Sequence, residues 1–194
     1  MKQEPQSGEP RGHRDTVRHH TRLLCMAAFL AALSFLLGLL AKMLQGAGPV
    51  RLTVEGMPVV FAGMTMGPVI GAAVGATADL LSCLLAGQAP LPLITVGAAA
   101  VGAVSGVVPL FFRRGERRYG RAWPFPFVLL CDGAAHGIGS ILIKSFALSR
   151  FYGFNPLLFR ILIYLAVIAL ESYLLYTLLR SAAIRRELER LTRQ

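Results

Sequence analysis

The feature that most constrains this chain is a series of long apolar runs separated by short polar segments. The run Leu23–Ala41 alone has 19 residues without a charge, and a helix needs about 20 apolar residues to cross a bilayer. Only 15% of the 194 residues are charged, against roughly 25% in soluble domains. The mean hydropathy is +0.58. The sequence therefore predicts a multi-pass membrane protein with one compact membrane domain.

Turn residues divide the apolar sequence into six predicted helices. The break between the second and third is predicted at Met66–Pro68, because proline disfavours helix at the residue before it. We expect a disordered cytosolic tail over residues 1–22, a membrane domain over 23–180 and a basic cytosolic tail over 181–194. The predicted helices cover residues 23–41, 54–67, 69–86, 93–112, 124–148 and 156–179, and residues 149–155 are predicted to be a loop.

The distribution of cations predicts the orientation in the membrane. Residues 1–22, 113–121 and 180–194 hold five Lys or Arg each, 15 of the 20 in the chain. Cytoplasmic segments of membrane proteins are enriched in these residues. Six crossings put all three segments on one side, whereas five would not. The predicted fold is therefore an all-α integral membrane protein of six transmembrane helices with both termini cytoplasmic. The net charge of +10 has the same explanation, so no nucleic-acid partner is expected.

Ionisable residues inside the predicted spans are candidates for function, because a charge within a membrane is costly. Asp132, His136, Ser140 and Lys144 recur every four residues along the fifth helix. Successive members of this series drift by about 40°, which gives a broad polar sector. His136 is expected to be a hydrogen-bonded histidine inside the bundle, with a proton relay as the alternative.

The remaining ionisable groups divide by predicted depth. The polar groups singled out inside the spans, above all Asp79, Asp132 and Glu171, are expected to pair with each other and hold the bundle together. Lys144 and Arg160 lie near the outer ends of their helices and are expected to contact a ligand. Arg160, Tyr164 and Glu171 fall within about 40° of one face of the sixth helix.

Small residues form two further patterns. Ala27, Ala31, Ser34 and Gly38 lie on one face of the first helix, and such a face allows another helix to approach closely. Periodicity alone does not decide between docking to a partner and packing within the chain. Glycines at 63, 67, 71 and 75 predict close packing of the second and third helices.

Signatures of enzymes and metal sites are missing from the sequence. It has no P-loop, no H-E-x-x-H and no G-x-S-x-G motif. The cysteines Cys25, Cys83 and Cys131 lie far apart inside apolar segments, which predicts neither disulfides nor metal-ligand spacing. We therefore expect no catalytic activity, no cofactor and no metal, and any ATP hydrolysis must come from another chain.

Three motifs carry a resemblance to a known family. They are R-x-x-x-E-G-x-P at Arg51–Pro58, AGMTMGP at residues 62–68 and GATADLL at residues 75–81. Together with HGIGSILIKSFALSRFYGFNPLLFRILIYL at His136–Leu165, they resemble the substrate-binding S components of energy-coupling factor (ECF) vitamin transporters, in the folate family. The resemblance covers residues 22–180.

The resemblance implies a six-helix S-component fold in the bacterial cytoplasmic membrane. It implies a high-affinity outer pocket for a vitamin, most simply folate, built by the outer loops and the outer halves of helices four to six. The first-helix face Ala27, Ala31, Ser34 and Gly38 would then dock a transmembrane coupling subunit, which two ATPase subunits drive. The substrate-binding candidates are Arg51, Gln88, Lys144, Arg150, Tyr152, Asn155, Arg160 and Tyr164.

Two alternatives stay open at this point. The substrate within the same transporter class could be riboflavin, pantothenate or a queuosine precursor. A different class would be a non-transport membrane protein, either an assembly factor or an intramembrane enzyme. An enzyme would concentrate acids and nucleophiles at one depth, whereas a capture subunit for an acidic vitamin would place cations at the outer rim.

Overall fold

The computed structural model describes residues 11–45, 54–87, 91–112, 123–152, 155–182 and 184–186. All secondary structure in these ranges is helical, which confirms the predicted all-α class. The helices are α1 (Arg11–Gln45), α2 (Gly56–Met66), α3 (Pro68–Leu85), α4 (Pro92–Phe112), α5 (Phe125–His136), a π-helix (Gly137–Lys144), α6 (Ser145–Tyr152) and α7 (Asn155–Arg180).

Five helical segments in the described part of the chain are long and apolar enough to cross a membrane. This agrees with a multi-pass membrane protein. The short helix α2 has 11 residues and spans about 16 Å at 1.5 Å per residue, against a hydrocarbon core of about 30 Å. The count of six crossings and the sides of the two termini remain predictions. The five segments are His20–Ala41, Pro68–Leu85, Pro92–Phe112, Phe125–Ser149 and Ile161–Arg180.

The first helix is longer at its start than the sequence predicts. It begins at Arg11, so residues 11–22, which the polar composition predicted to be disordered, are helical. Extending an existing helix adds one hydrogen bond for each residue fixed, whereas starting a new one is costly. The apolar run at Leu23–Ala41 supplies that existing helix, and no proline interrupts residues 11–22. The predicted tail over 1–10 lies outside the described residues.

The short helix α2 lies at the centre of the bundle. Nine of its 11 residues are buried, and it contacts α1, α3, α4, α5 and α7. A helix that is apolar all round is buried on every side, and the run from Pro58 to Met64 has that composition. Val60 and Ala62 are completely enclosed. The core of the protein is therefore organised around α2.

A sharp reversal separates α2 from α3, as the sequence predicts. Gly67 lies between them with φ 101°, a left-handed value that glycine adopts without strain. Pro68 then occupies the first position of α3, where its missing N–H costs nothing. A Cβ added at Gly71 would lie 2.6 Å from Cα of Gly63. The two helices thus pack antiparallel with backbones in contact, which confirms the packing predicted from the glycine repeat.

The fourth helix continues this close packing. A Cβ at Gly102 would meet the carbonyl group of Gly71, and one at Gly106 would lie 2.6 Å from Cα of Pro68. Helices α3 and α4 therefore run antiparallel with almost no side chain between them. Such contact is available only to glycine and other small residues, and it is typical of membrane helices.

The predicted fifth helix is one continuous helical segment in three parts, α5, the π-helix and α6. It extends to Tyr152, and α7 begins at Asn155, so the predicted loop over 149–155 is shorter than expected. The π-helix changes the geometry of the polar series. Hydrogen bonds from residue i to i+5 place more residues in each turn, so side chains four apart stay closer to one face than α-helical spacing predicts.

Candidate functional site

A buried polar cluster joins α5, α7 and the start of α2. Nε2 of His136 lies 2.7 Å from Oε2 of Glu171 and 3.5 Å from Oδ1 of Asp132. The side chains of Asp132 and Glu171 are 0% exposed and that of His136 is 5% exposed. These three inner atoms therefore face one another in a part of the bundle that excludes solvent.

Each of the three side chains has a second polar atom, which faces away from the cluster and contacts a separate group. Nδ1 of His136 lies 3.0 Å from Oγ of Ser140, one helical turn further along. The hydroxyl of Ser172 donates to Oδ2 of Asp132 at 2.8 Å, and the backbone N–H of Met57 donates to Oε1 of Glu171 at 3.2 Å. Each ring or carboxylate is thus oriented so that its other atom, Nε2, Oδ1 or Oε2, points into the cluster.

One of these inner atoms has no hydrogen bond. Oδ1 of Asp132 is buried and unpartnered among the described residues. Buried polar atoms are almost always hydrogen-bonded, and an unmet buried acceptor costs about 1–3 kcal/mol. The interior of the cluster therefore has an unmet demand for a positive or hydrogen-donating group next to Asp132.

The start of α2 closes the cluster from one side. A Cβ added at Gly56 would lie 2.6 Å from Nε2 of His136 and 3.0 Å from Oε2 of Glu171. Only glycine lets the backbone approach this closely, which also brings the Met57 N–H within reach of Glu171. The preceding residue is tied to α1, since the hydroxyl of Ser34 donates to the carbonyl oxygen of Glu55 at 2.7 Å.

Two predicted features of α5 and α7 agree with this arrangement. The ring of Tyr164 lies 5.9 Å from the ring of His136, so Tyr164 and Glu171 share the face of α7 that the periodicity predicts. The expectation that Asp132 and Glu171 pair with the other singled-out groups is met by the contacts of both carboxylates with His136.

A second polar pair lies between α3 and α4. The hydroxyl of Thr95 donates to Oδ2 of Asp79 at 2.7 Å, so Asp79 is hydrogen-bonded within the bundle, to a residue that periodicity did not single out. Nearby in sequence, a Cβ at Gly97 would lie 2.6 Å from Cγ of Lys144. The aliphatic part of Lys144 therefore packs on the backbone of α4, and the residue is half-buried.

The predicted substrate-binding residues divide into two whose side chains are described and six that lie wholly or partly outside the description. Lys144 and Tyr164 are described: Lys144 packs on the backbone at Gly97, and the ring of Tyr164 lies beside that of His136. Arg51 and Gln88 lie outside the described residues. The helical backbone is described at Arg150, Tyr152, Asn155 and Arg160, and their side chains lie outside the description.

The small-residue face of α1 packs inside the chain. Ala31 and Ser34 are buried, and Ala27 packs against the core. A Cβ at Gly38 would meet the carboxylate of Glu55 and would lie 3.6 Å from Oγ of Ser82. This placement favours internal packing over docking to a coupling subunit for Ser34 and Gly38, because both positions are covered by α2 and α3.

The sequence did not reveal the complete cluster. It singled out Asp132, His136, Ser140 and Glu171, but not the backbone of Gly56 and Met57 or the hydroxyl of Ser172. Periodicity within one helix cannot show which helices are neighbours. The E-S pair at residues 171–172, two polar residues in an apolar run, is a signal that could have pointed to Ser172.

Comparison with protein-family models found no match, and no curated protein matches the chain.

Proposed function

We propose that this protein is the substrate-capture subunit of an ECF-type importer in the bacterial cytoplasmic membrane, with folate as its vitamin. The observation that carries the proposal is the position of Lys144 inside the bundle. It is half-buried in the bundle, and no carboxylate within the described residues forms an ion pair with it. Cations inside a membrane domain usually mark a substrate or ion pathway.

The contacts among the motif-bearing segments also support this function. The E-G-x-P segment contacts His136 and Glu171 through Gly56. The GATADLL segment bonds to α4 through Asp79. The AGMTMGP segment forms the reversal at Gly67. Described residues of all three motifs therefore take part in contacts inside the bundle. A coupling subunit and two ATPase subunits would complete the importer.

The direct test is binding of folic acid to the purified protein by isothermal titration calorimetry. A charge-assisted hydrogen bond contributes about 1.5–3 kcal/mol. Replacing Lys144 with methionine, which keeps its aliphatic contact with Gly97, should therefore weaken binding roughly 10- to 150-fold. Arg160→Lys should lose part of its contribution, because the guanidinium can bind a carboxylate with two parallel hydrogen bonds.

Arg180→Ala is the matched control, because this exposed cation lies at the far end of α7 beside Tyr176. It should leave folate affinity unchanged. Wild-type affinity in well-folded Lys144→Met and Arg160→Ala proteins would refute binding of the folate carboxylates by these cations. Parallel titrations with riboflavin and pantothenate would then identify the better substrate.

The predicted topology has its own test. In a variant with Cys25, Cys83 and Cys131 replaced by alanine, Arg117→Cys should react with a membrane-impermeant maleimide only after the membrane is permeabilised. The physical reason is the excess of arginine at residues 113–121, which disfavours translocation of that loop. Labelling of intact cells at this position would reject the six-helix arrangement.

An intramembrane enzyme is the second candidate, and the cluster of Asp132, His136 and Glu171 is the observation that favours it. Acids at one depth are the pattern expected of such an enzyme. Full burial weighs against this function, because a substrate must reach the reacting atoms. Absence of binding for all the vitamins tested would favour the enzyme over the importer.

A further inference from the structure

We propose that Asp132, His136 and Glu171 form a binding site for one divalent transition-metal cation, with Zn²⁺ as its representative. The proposal is independent of vitamin transport, since it rests on the contacts of the cluster alone. One ligand atom from each of the three residues lies within 4.8 Å of the other two, and all three residues are buried.

The unpartnered oxygen is the first observation that points to a ligand. Oδ1 of Asp132 is directed at Nε2 of His136 from 3.5 Å and has no hydrogen bond. Two carboxylates enclosed in a membrane bundle are costly unless they are neutralised. A divalent cation between them would satisfy Oδ1 and balance both negative charges at once.

The distances suit a small cation. Zinc binds nitrogen and oxygen ligands at about 2.0–2.2 Å, so ligand atoms in a tetrahedral site lie about 3.3–3.6 Å apart. The distance of 3.5 Å between Oδ1 of Asp132 and Nε2 of His136 falls in this range. The distance of 2.7 Å between His136 and Glu171 is that of a hydrogen bond. Zinc in place of the shared proton would lengthen it by about 0.6–0.9 Å.

The surrounding groups are those that metal ligands require. A metal-binding histidine almost always engages its second ring nitrogen in a hydrogen bond, and Nδ1 of His136 faces the hydroxyl of Ser140. The outer oxygens of Asp132 and Glu171 are held by Ser172 and by the backbone of Met57. Imidazole and carboxylate together favour zinc, iron or manganese over calcium and magnesium.

The test is titration of Zn²⁺ into the full-length, tag-free protein after chelator treatment, followed by elemental analysis of the dialysed complex. We expect one Zn²⁺ per chain. Asp132→Asn should weaken binding by more than about 100-fold, because loss of a ligand exceeds the effect of a supporting hydrogen bond. Ser140→Ala removes no ligand and no charge, and it should weaken binding by about 10- to 100-fold.

Two control variants make the result decisive. Asp79→Asn changes a carboxylate that bonds to Thr95 and lies outside the cluster, so it should bind Zn²⁺ like the wild type. Replacement of His13, His19 and His20 by glutamine should also leave binding intact.

Three results would overturn the proposal. One is a folded wild type that binds no Zn²⁺, as expected if a shared proton alone holds the cluster. Another is wild-type affinity in Ser140→Ala, which decides the question even if Asp132→Asn does not fold. The third is loss of binding in the variant without the three N-terminal histidines.

Discussion

Replacing Glu171 with alanine is expected to lower the free energy of unfolding by about 3–5 kcal/mol, the cost of breaking a buried charged pair. The variant leaves Nε2 of His136 and the N–H of Met57 without their acceptors. The lost carboxylate is itself 0% exposed, and the side chain of His136 is 5% exposed. At about 2–4 °C per kcal/mol, the unfolding midpoint should fall by roughly 6–20 °C.

The measurement is thermal unfolding of the detergent-purified protein in the presence of a chelator, so that the loss does not depend on a bound cation. Glu171→Gln keeps an acceptor and should lose less stability than the alanine variant. Asp79→Asn, a change in a partly exposed carboxylate, should lose less again. An unfolding midpoint of Glu171→Ala within a degree or two of the wild type would show that the pair contributes little to the bundle.

Replacing Gly102 with alanine is the second prediction, and it is expected to cost about 2–3 kcal/mol, the upper part of the range for overpacking. The added Cβ would meet the backbone carbonyl of Gly71, and a backbone carbonyl in a helix cannot move aside as a flexible side chain can. Helices α3 and α4 would have to separate. The unfolding midpoint should fall by roughly 4–12 °C.

Gly137→Ala is the matched control, because nothing lies within 4 Å of a Cβ at that position. There the same substitution should be neutral or stabilising, by up to about 1 kcal/mol, since alanine loses less backbone entropy on folding. Equal stability of the Gly102→Ala and Gly137→Ala proteins in the same assay would contradict the close backbone contact between α3 and α4.

The main elements of the fold were predictable because the membrane imposes simple rules. Apolar runs such as Leu23–Ala41 predict their own helices, and the Met66–Pro68 break lies where Gly67 adopts a positive φ. The predicted start of α1 was wrong. The prediction for residues 11–22 rested on their polar composition and left out the stabilising effect of the helix that follows them. The π-helix over Gly137–Lys144 was also missed, because no single residue type specifies it.

Parts of the candidate site could be predicted from the sequence. Asp132, His136 and Glu171 were conspicuous as ionisable residues in apolar spans, and helical periodicity put Tyr164 and Glu171 on one face. The contact between α5 and α7 could not be predicted from the sequence, and neither could the hydrogen bond from Ser172 to Asp132. Such contacts depend on how α5 and α7 are rotated and aligned, and their own periodicity does not fix that alignment.

For the described part of this protein, the helical class and the positions of most helices follow from local sequence, because each apolar segment must satisfy its own backbone hydrogen bonds within a membrane. The central position of α2 and the meeting of His136 with Glu171 depend on packing between segments far apart in the chain. The surroundings of the small-residue face of α1 also depend on this packing. Periodicity left both packing within the chain and docking to a partner open. In the tertiary structure Ser34 and Gly38 of that face are covered by this chain itself, because Ser34 donates to the carbonyl oxygen of Glu55 and Gly38 faces the Glu55 carboxylate and Ser82.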